Sequence, residues 1–365
     1  MAAADVTVMG AGIFGLSVAY ACLKRGARVR VVDPGGPGAG ASGGIVGALS
    51  PHVPENWNPK KAFQLESLLL AREFWPEVEA LSGRPTGYAP HGRIQPLADT
   101  RAVELAQSRA TSAAALWRGE AVWAVIDAEA AAAGLPPGWL PEAGSGAYVR
   151  DTLSAHIHPA QAVAALAGAI RSRGGEITTA AVPEAAVSEA ALPEAAAPEG
   201  AVIWATGAAG LEDLSRAFGR ALGVAVKGQA ALLGTGAALA PQIFAGGLHI
   251  VPHLDGTTAI GSTSEREFAG TDTDAQLDDV IDRARSVIPA LREAPVIARW
   301  AGLRPRAYSR APLLGEWPGR PGHFVANGGF KIGFGVAPMV GQVMADLVLD
   351  GRDAIPEGFG FPPDL

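Results

Sequence analysis

The sequence predicts an α/β protein, α+β overall, in which a Rossmann-like nucleotide-binding domain is combined with a second domain built on an antiparallel sheet. Three observations lead to this prediction. A strand, a glycine-rich turn and a helix follow one another at the N-terminus, and buried strands ending in glycine return near residues 207 and 328. Asp255-Gly256 separates two apolar runs, which is a hairpin signal. The 365 residues, 48% of them hydrophobic, suffice for about two domains.

The N-terminal glycines predict a dinucleotide site. The apolar run Val6–Met9 leads into Gly10-Ala-Gly12-Ile-Phe-Gly15, and apolar residues then recur at helical spacing up to Gly26. Each glycine has its own purpose: a tight turn, unhindered approach of a pyrophosphate to the backbone, and close packing of helix on strand. Asp33 follows the next buried strand, where its carboxylate can accept hydrogen bonds from a ribose.

The rest of the chain divides into segments with helical periodicity and segments with the pattern of antiparallel strands. Periodicity predicts helices over residues 62–81, interrupted near Pro76, and over residues 99–116, 159–173 and 277–291, with a last helix after a glycine-rich turn over residues 328–335. The antiparallel pattern lies mainly in residues 223–301.

From these patterns we assign two discontinuous domains. Residues 1–85, 151–219 and 301–365 are expected to form the nucleotide-binding domain, and residues 86–150 and 220–300 the second, substrate-binding domain.

Composition makes several classes of function unlikely for this chain. The formal net charge is −7, and the longest basic run is Lys60-Lys61, so nucleic acid is not expected as a partner. Cys22 is the single cysteine and has no partner for an intramolecular disulfide. The histidines show no paired metal-ligand spacing beyond His156-Ile-His158, and no metal is expected.

The N-terminus predicts neither a signal peptide nor a membrane span. It lacks a basic region, and glycines interrupt its apolar stretch. We therefore expect a cytoplasmic protein without a membrane partner. Monomer and homo-oligomer both remain open.

The type of dinucleotide depends on later features, because the glycine fingerprint serves both NAD and FAD. A small-residue loop over residues 35–49 and a long excursion separate the first βαβ unit from the strand and turn Val202-Ile-Trp-Ala-Thr-Gly207. A nicotinamide-binding unit would instead continue with alternating strands and helices. This arrangement favours FAD.

Several further motifs add a family resemblance. They are Gly40-Ala-Ser-Gly43, His158-Pro159, Val226-Lys-Gly228, Trp300-Ala-Gly-Leu-Arg-Pro305 and Gly328-Gly-Phe-Lys-Ile-Gly-Phe-Gly335. With the N-terminal fingerprint, they make the chain resemble the D-amino acid oxidase-like FAD-dependent oxidoreductases over nearly its whole length. It is most similar to the glycine oxidase and sarcosine oxidase branch.

The resemblance implies a set of FAD contacts. The FAD is expected to be noncovalent, because the cysteine that attaches it in some relatives, near the position of Arg304, is missing here. The implied cofactor-binding residues are Gly10, Gly12, Ile13, Phe14, Gly15, Asp33, Pro34, Ala41, Ser42, Gly43, Gly47, Ala48, Leu49, Val182, Ala205, Thr206, Gly207, Gly329, Phe330, Lys331, Ile332 and Gly333.

The resemblance also implies three catalytic-site residues. Arg304 matches the arginine that grips the substrate carboxylate, a task suited to its planar fork of donors. Lys331 falls where glycine oxidases carry an arginine and sarcosine oxidases a lysine. His249 lies at or near the position of a tyrosine that touches the carboxylate in one branch and of a lysine associated with oxygen reactivity in the other. A structural role is the alternative for each of the three.

The reaction implied by the resemblance is oxidation of a small amino acid or N-alkyl amino acid, of the glycine, sarcosine or D-amino acid type. Hydride transfer to flavin N5 would leave an imine that water hydrolyses to the oxo acid, and O₂ would be reduced to H₂O₂. Two alternatives remain. One is a flavoprotein dehydrogenase subunit with another electron acceptor. The other is the flavin module of a tRNA wobble-uridine modification enzyme, which residues 40–51 also resemble, although the acidic balance disfavours it.

Overall fold

The computed structural model describes residues 3–179, 198–235 and 237–365. Val182, one of the expected FAD contacts, lies outside these ranges. The helices are α1 Ile13–Lys24, α2 Pro59–Ser82, α3 Thr100–Leu116, α4 Ala128–Ala132, α5 Pro159–Ser172, α6 Gly207–Ala217, α7 Ala275–Val287 and α8 Gly333–Asp350. The strands are β1 Val6–Met9, β2 Val29–Val32, β3 Ala48–Leu49, β4 Arg93–Pro96, β5 Trp123–Asp127, β6 Ala147–Asp151, β7 Ala155–His156, β8 Glu176–Thr178, β9 Ala201–Trp204, β10 Gly223–Gly234, β11 Gln242–Ala245, β12 Leu248–Pro252, β13 Thr257–Gly261, β14 Val296–Ala307, β15 Leu313–Glu316 and β16 His323–Asn327.

The first sheet carries the nucleotide-binding architecture. Over the described ranges it has six strands in the order β15-β16-β9-β1-β2-β8, parallel except for β15 at one edge. The central strand β1 is buried along its whole length, as expected for a parallel sheet covered by helices. Since β2 and β9 flank β1 on opposite sides, the carboxyl ends of β1 and β9 lie side by side. A crevice outside the ends of such strands is the usual ligand site of this architecture.

The second sheet is larger and mainly antiparallel. Over the described ranges its eight strands run β14-β10-β13-β12-β11-β4-β6-β5, and only β11 and β4 pair in parallel. β12 and β13 form the hairpin predicted around Asp255-Gly256. The predicted α/β class, with a Rossmann-like domain and an antiparallel sheet, is thereby confirmed. β14 runs unbroken to Ala307, so the division proposed at residue 301 falls inside a strand, and the domain limits remain a proposal.

Two helices differ from the sequence prediction. The interruption expected near Pro76 is wrong, because α2 continues through it to Ser82. An interior proline costs about 3 kcal/mol, and the buried face of α2, which includes Trp75 and Val78, offsets this cost. The helix expected over residues 277–291 ends at Val287, and Pro289 begins a separate 3₁₀ turn because proline restricts the residue before it.

The predicted turn over residues 328–335 is shorter than expected. α8 already begins at Gly333, because Phe330, with φ 43°, completes the change of direction early. Among the described helices, none is long and apolar enough to cross a membrane.

The contact of α8 with α1 depends on Gly341. A Cβ at this position would lie 2.6 Å from the backbone oxygen of Ser17. We expect Gly341→Ala to lower the free energy of unfolding by about 1–3 kcal/mol, because the helices must move apart. Urea unfolding monitored by circular dichroism measures this change. Gly270→Ala, at an exposed glycine with open space around it, should change stability by less than about 0.5 kcal/mol. Equal stability of the two variants would contradict the prediction.

Candidate active site

A cavity of about 1250 Å³ is lined by residues of both sheets. The nucleotide end lies at the carboxyl ends of β1 and β9, and the other end lies against one face of the larger sheet. Most of the residues predicted from the sequence line it: Gly10, Gly12, Ile13, Phe14, Asp33, Pro34, Ala41, Ser42, Gly47, Ala48, Ala205, Thr206, Gly207, His249, Arg304, Gly329, Phe330, Lys331, Ile332 and Gly333.

Three predicted cofactor residues lie beside the cavity lining rather than in it: Gly15, Gly43 and Leu49. A Cβ at Gly15 would lie 2.0 Å from the backbone oxygen of Gly10, so this glycine packs α1 against the turn. A Cβ at Gly43 would lie 2.4 Å from the backbone oxygen of Gly38. Leu49 is fully buried in the core. These three residues pack behind the residues that line the cavity.

The glycine turn brings the backbone close to the cavity. Gly10 has φ 109°, and a Cβ there would lie 2.4 Å from the backbone oxygen of Ala205 at the end of β9. The Asp33 carboxylate accepts hydrogen bonds from the backbone N–H groups of Ala11 (2.7 Å) and Gly35 (2.9 Å). The Ser42 hydroxyl accepts from the N–H of Ile13 at 2.9 Å, at the positive end of α1. These three N–H groups are used by side chains of the protein itself, and the positive end of α1 favours an anion at this end of the cavity.

Arg304 lies on β14 with its guanidinium directly over Gly228 of the paired strand β10. A Cβ at Gly228 would lie 2.1 Å from Cζ of Arg304, so only glycine leaves room for the guanidinium. Nη1 of Arg304 donates to the backbone oxygen of Thr263 at 3.1 Å. Burial lowers the pKa of Arg304 to about 10, and nearby Glu265 opposes this effect. The guanidinium stays charged at neutral pH.

A hydrogen-bonded network fixes the carbonyl that Arg304 contacts. Nζ of Lys227 lies 2.7 Å from an Asp274 oxygen and 3.4 Å from Glu265, and Nε2 of Gln229 donates to both carboxylates at 2.8 and 3.0 Å. The Thr263 hydroxyl donates to Glu265 as well. Because side chains alternate along a strand, Lys227 and Gln229 lie on the face of β10 opposite to Arg304. The network therefore holds Thr263 from behind the sheet.

Lys331 adds a second positive charge to the same part of the cavity. Burial, with contributions from Arg304 and Arg306, lowers its pKa. Its Nζ lies 5.6 Å from the centre of the Phe330 ring. Over residues 3–179, 198–235 and 237–365, no carboxylate lies within ion-pair distance of Arg304 or Lys331. Two neighbouring cations without a carboxylate partner favour an anionic ligand.

Comparison with known proteins identifies the family of this chain. Residues 5–347 match the DAO family, described as FAD dependent oxidoreductase. The chain belongs to this family. It is 28% identical over 357 residues to the glycine oxidase of Geobacillus kaustophilus (strain HTA426), a match that covers 94% of this chain and 92% of that protein.

Solved structures show the same fold. The crystal structure of glycine oxidase from Geobacillus kaustophilus superposes with a TM-score of 0.84 at 24% identity and covers 99% of each chain. The structure of L-proline dehydrogenase from P. horikoshii gives a TM-score of 0.79 at 19% identity, covering 98% of this chain and 97% of that one.

As a member of this family, the protein is an FAD-dependent oxidoreductase, and the cavity fits that cofactor. Gly12 leaves the start of α1 open, and a Cβ there would meet only the Ser42 hydroxyl, at 3.2 Å. At Gly329, a Cβ would lie 2.9 Å from the Phe14 ring, so this wall also requires glycine. The positive end of α1 suits a pyrophosphate, and the glycines permit its close approach.

Several cavity residues of this FAD-dependent oxidoreductase were missed by the sequence prediction: Arg93, Gln95, Phe244 and Trp300. Arg93 and Gln95 lie on β4. They belong to no sequence motif that would indicate a binding site. The only signal was polar alternation in Arg93-Ile-Gln95, which is typical of any strand with one wet face. Arg93 is buried, and its Nε lies 2.8 Å from the fully buried Asp151.

His249 lies on β12 and lines the same cavity. Burial lowers its pKa to about 4, with further contributions from the positive charges of Arg93 and Lys331. Its Nδ1 is buried without a hydrogen-bond partner among the described residues. The imidazole is therefore neutral near pH 7.

A group of histidines packs beside the loop that contains Val46. The rings of His158 and His253 lie 4.7 Å apart, and those of His91 and His156 lie 5.3 Å apart. Nε2 of His253 lies 3.3 Å from the backbone oxygen of Val46, which lines the cavity. No group of three or more metal-ligating side chains capable of holding an ion occurs over the described ranges.

The bulk of residue 12 should control FAD binding. Gly12 has φ −75°, a conformation open to any residue, so Gly12→Val adds volume without backbone strain. We expect the Kd for FAD to rise at least about tenfold, because the side chain would enter the space of the pyrophosphate. Flavin fluorescence titration of the apoprotein measures it, with Gly270→Ala as the control. Equal Kd values for both variants would exclude this role for Gly12.

His156 should make the protein sensitive to acid. Burial, aided by His91 and His253, lowers its pKa from 6.5 to about 3, so the folded state binds fewer protons than the unfolded state between these values. Its stabilising contribution is complete above pH 6.5 and is lost as the pH falls. Between pH 7 and pH 5 we expect a loss of about 2 kcal/mol that His156→Leu abolishes. Urea unfolding at both pH values measures it, and identical pH slopes for wild type and variant would refute the assignment.

Proposed function

We propose that this FAD-dependent oxidoreductase oxidises a small amino acid or N-alkyl amino acid of the glycine, sarcosine or D-amino acid type. The observation that carries the proposal is the pair of cavity cations, Arg304 and Lys331, which lack a carboxylate partner over the described ranges. The similarity to the glycine oxidase of Geobacillus kaustophilus over 94% of the chain supports it.

In the proposed complex, Arg304 binds the substrate carboxylate through parallel charge-assisted hydrogen bonds, and Lys331 adds a point charge beside it. The bound FAD supplies the chemistry by accepting a hydride at N5. The protein residues orient the Cα–H bond and exclude water by enclosing the substrate. Because His249 is neutral near pH 7, it can offer the substrate an uncharged hydrogen-bonding group.

The product would be an imine, which water hydrolyses to the oxo acid with release of ammonia or, from an N-alkyl substrate, of the amine. We propose O₂ as the electron acceptor, with H₂O₂ as its product. The fold shared with L-proline dehydrogenase of P. horikoshii makes another acceptor the competing proposal. Stoichiometric H₂O₂ formation in air supports the oxidase, whereas reduction of a quinone or dye without H₂O₂ supports a dehydrogenase.

An anaerobic reduction screen tests the proposed reaction. Purified holoenzyme is mixed with glycine, sarcosine, proline and small D-amino acids, and the flavin absorbance is followed. We expect at least one of them to bleach the flavin. An oxidised spectrum that persists with every compound, in a protein that dithionite still reduces, would reject the proposal.

Arg304→Ala tests the carboxylate site. Removing the guanidinium should raise the apparent KM or the Kd for the amino acid by about 30-fold to 1000-fold, since charge-assisted hydrogen bonds in such sites contribute about 2–4 kcal/mol. The FAD content should stay near that of wild type. The matched control is Arg299→Ala on the same strand, because this side chain is 41% exposed and pairs with Asp278. Similar KM values for the two variants would rule out the role of Arg304.

A further inference from the structure

One face of the larger sheet forms a row of directly paired residues across five strands. Trp300 pairs with Ala230, Ala230 with Gly261, Gly261 with His249, and His249 with Phe244. Paired residues on neighbouring strands point to the same face. All members of the row except Ala230 line the cavity.

The composition of this row changes along its length. Glycine and alanine occupy its centre, near Gly228 and the guanidinium of Arg304, and the side chain of Val46 packs against Gly261 there. Beyond His249 and Phe244 the row reaches β4, because Ile243 pairs with Ile94 and so places Phe244 beside Gln95. Arg93, two residues from Gln95, shares its face of the strand. The far end of the cavity floor is therefore polar.

The polar side chains at this end retain unused hydrogen-bonding capacity. Within the described parts of the chain, the side chains of Gln95 and His249 make no hydrogen bond. Nε of Arg93 lies 2.8 Å from Asp151 without hydrogen-bond geometry, and the terminal nitrogens of Arg93 make no hydrogen bond within the described parts of the chain. Buried polar groups normally have partners, so these three side chains require one.

The charges that line the cavity away from its nucleotide end are mainly positive. The cationic residues that line the cavity are Arg93, Arg109, Arg304 and Lys331. Asp151 offsets Arg93, and Glu55 offsets Arg109 at 2.7 Å. Asp33 and Asp213 border the nucleotide end, which leaves Asp272 as the other lining carboxylate among the described residues. Arg304 and Lys331 thus provide more positive charge than one carboxylate compensates.

We propose that Arg93, Gln95 and His249 form a second anion subsite, so that the preferred substrate carries another carboxylate beyond the one bound at Arg304. This inference rests on the proposed amino acid oxidation. β13 alone separates β12 from β10, so His249 lies about 10 Å across the sheet from Ala230, and Gly228 lies two residues further along β10. A short amino dicarboxylate, together with the reach of these side chains, spans that distance. The second carboxylate is attached either to the substrate nitrogen or to Cα.

Two matched substrate series test this subsite with the wild-type holoenzyme. The first contains N-(carboxymethyl)glycine, its amide N-(carbamoylmethyl)glycine and N-propylglycine. The second contains D-glutamate, D-glutamine and D-norleucine. The rate of anaerobic flavin reduction divided by the apparent Kd is measured for each. We expect the dicarboxylate to exceed its amide and its apolar analogue by about tenfold or more in one series, and that series identifies the point of attachment.

Variants connect this preference to the subsite. Gln95→Leu and His249→Phe keep the space filled, whereas a change at Arg93 would leave Asp151 buried without its partner. In each variant the ratio of the dicarboxylate to the apolar analogue should fall about tenfold, while Arg299→Gln should retain the wild-type ratio.

The possible outcomes separate the two proposals. If the dicarboxylate has no advantage in either series while glycine or sarcosine reduces the flavin, the second subsite is refuted and the proposed function stands. A preference that survives both variants refutes the assignment to these residues. If no compound reduces the flavin, the proposed function itself fails.

Discussion

The buried guanidinium of Arg304 is the constraint on which the site depends. A buried charge is costly unless it is paired or hydrogen-bonded, and the described contacts of this one include a single backbone oxygen at 3.1 Å. Gly228 provides the space for it, and the network of Lys227, Gln229 and Glu265 fixes the segment that carries Thr263. The protein thus keeps a cation ready for an anionic ligand.

The position of the cavity follows from how the two sheets are connected. The parallel sheet presents the carboxyl ends of β1 and β9, where the positive end of α1 and the glycines suit a dinucleotide. β14 passes along the edge of the larger sheet and brings Arg304 to the same cavity. The part that binds FAD in this family and the part that we propose binds substrate are therefore built from segments far apart in sequence.

Local patterns predicted the parts of the fold that depend on nearby residues. The glycine turn and the Asp255-Gly256 hairpin each have a physical cause within a few residues, and the structure contains both. The continuation of α2 through Pro76 was not predictable in this way, because burial of its face against other elements decides it.

The cavity residues also include some whose position depends on contacts between segments distant in sequence. Arg93 and Gln95 gave no signal specific to a site, since their place in it depends on the pairing of β4 with β11 about 150 residues later. Gly15 and Gly43 belong to the predicted motifs but lie behind the cavity lining, a distinction that depends on the packing around them.

Titration of the oxidised flavin with glycolate, a small carboxylate without an amine, tests the central claim most directly. The account predicts a saturable change in the flavin spectrum whose Kd rises at least about 30-fold in Arg304→Ala. The same Kd in wild type and variant would contradict it.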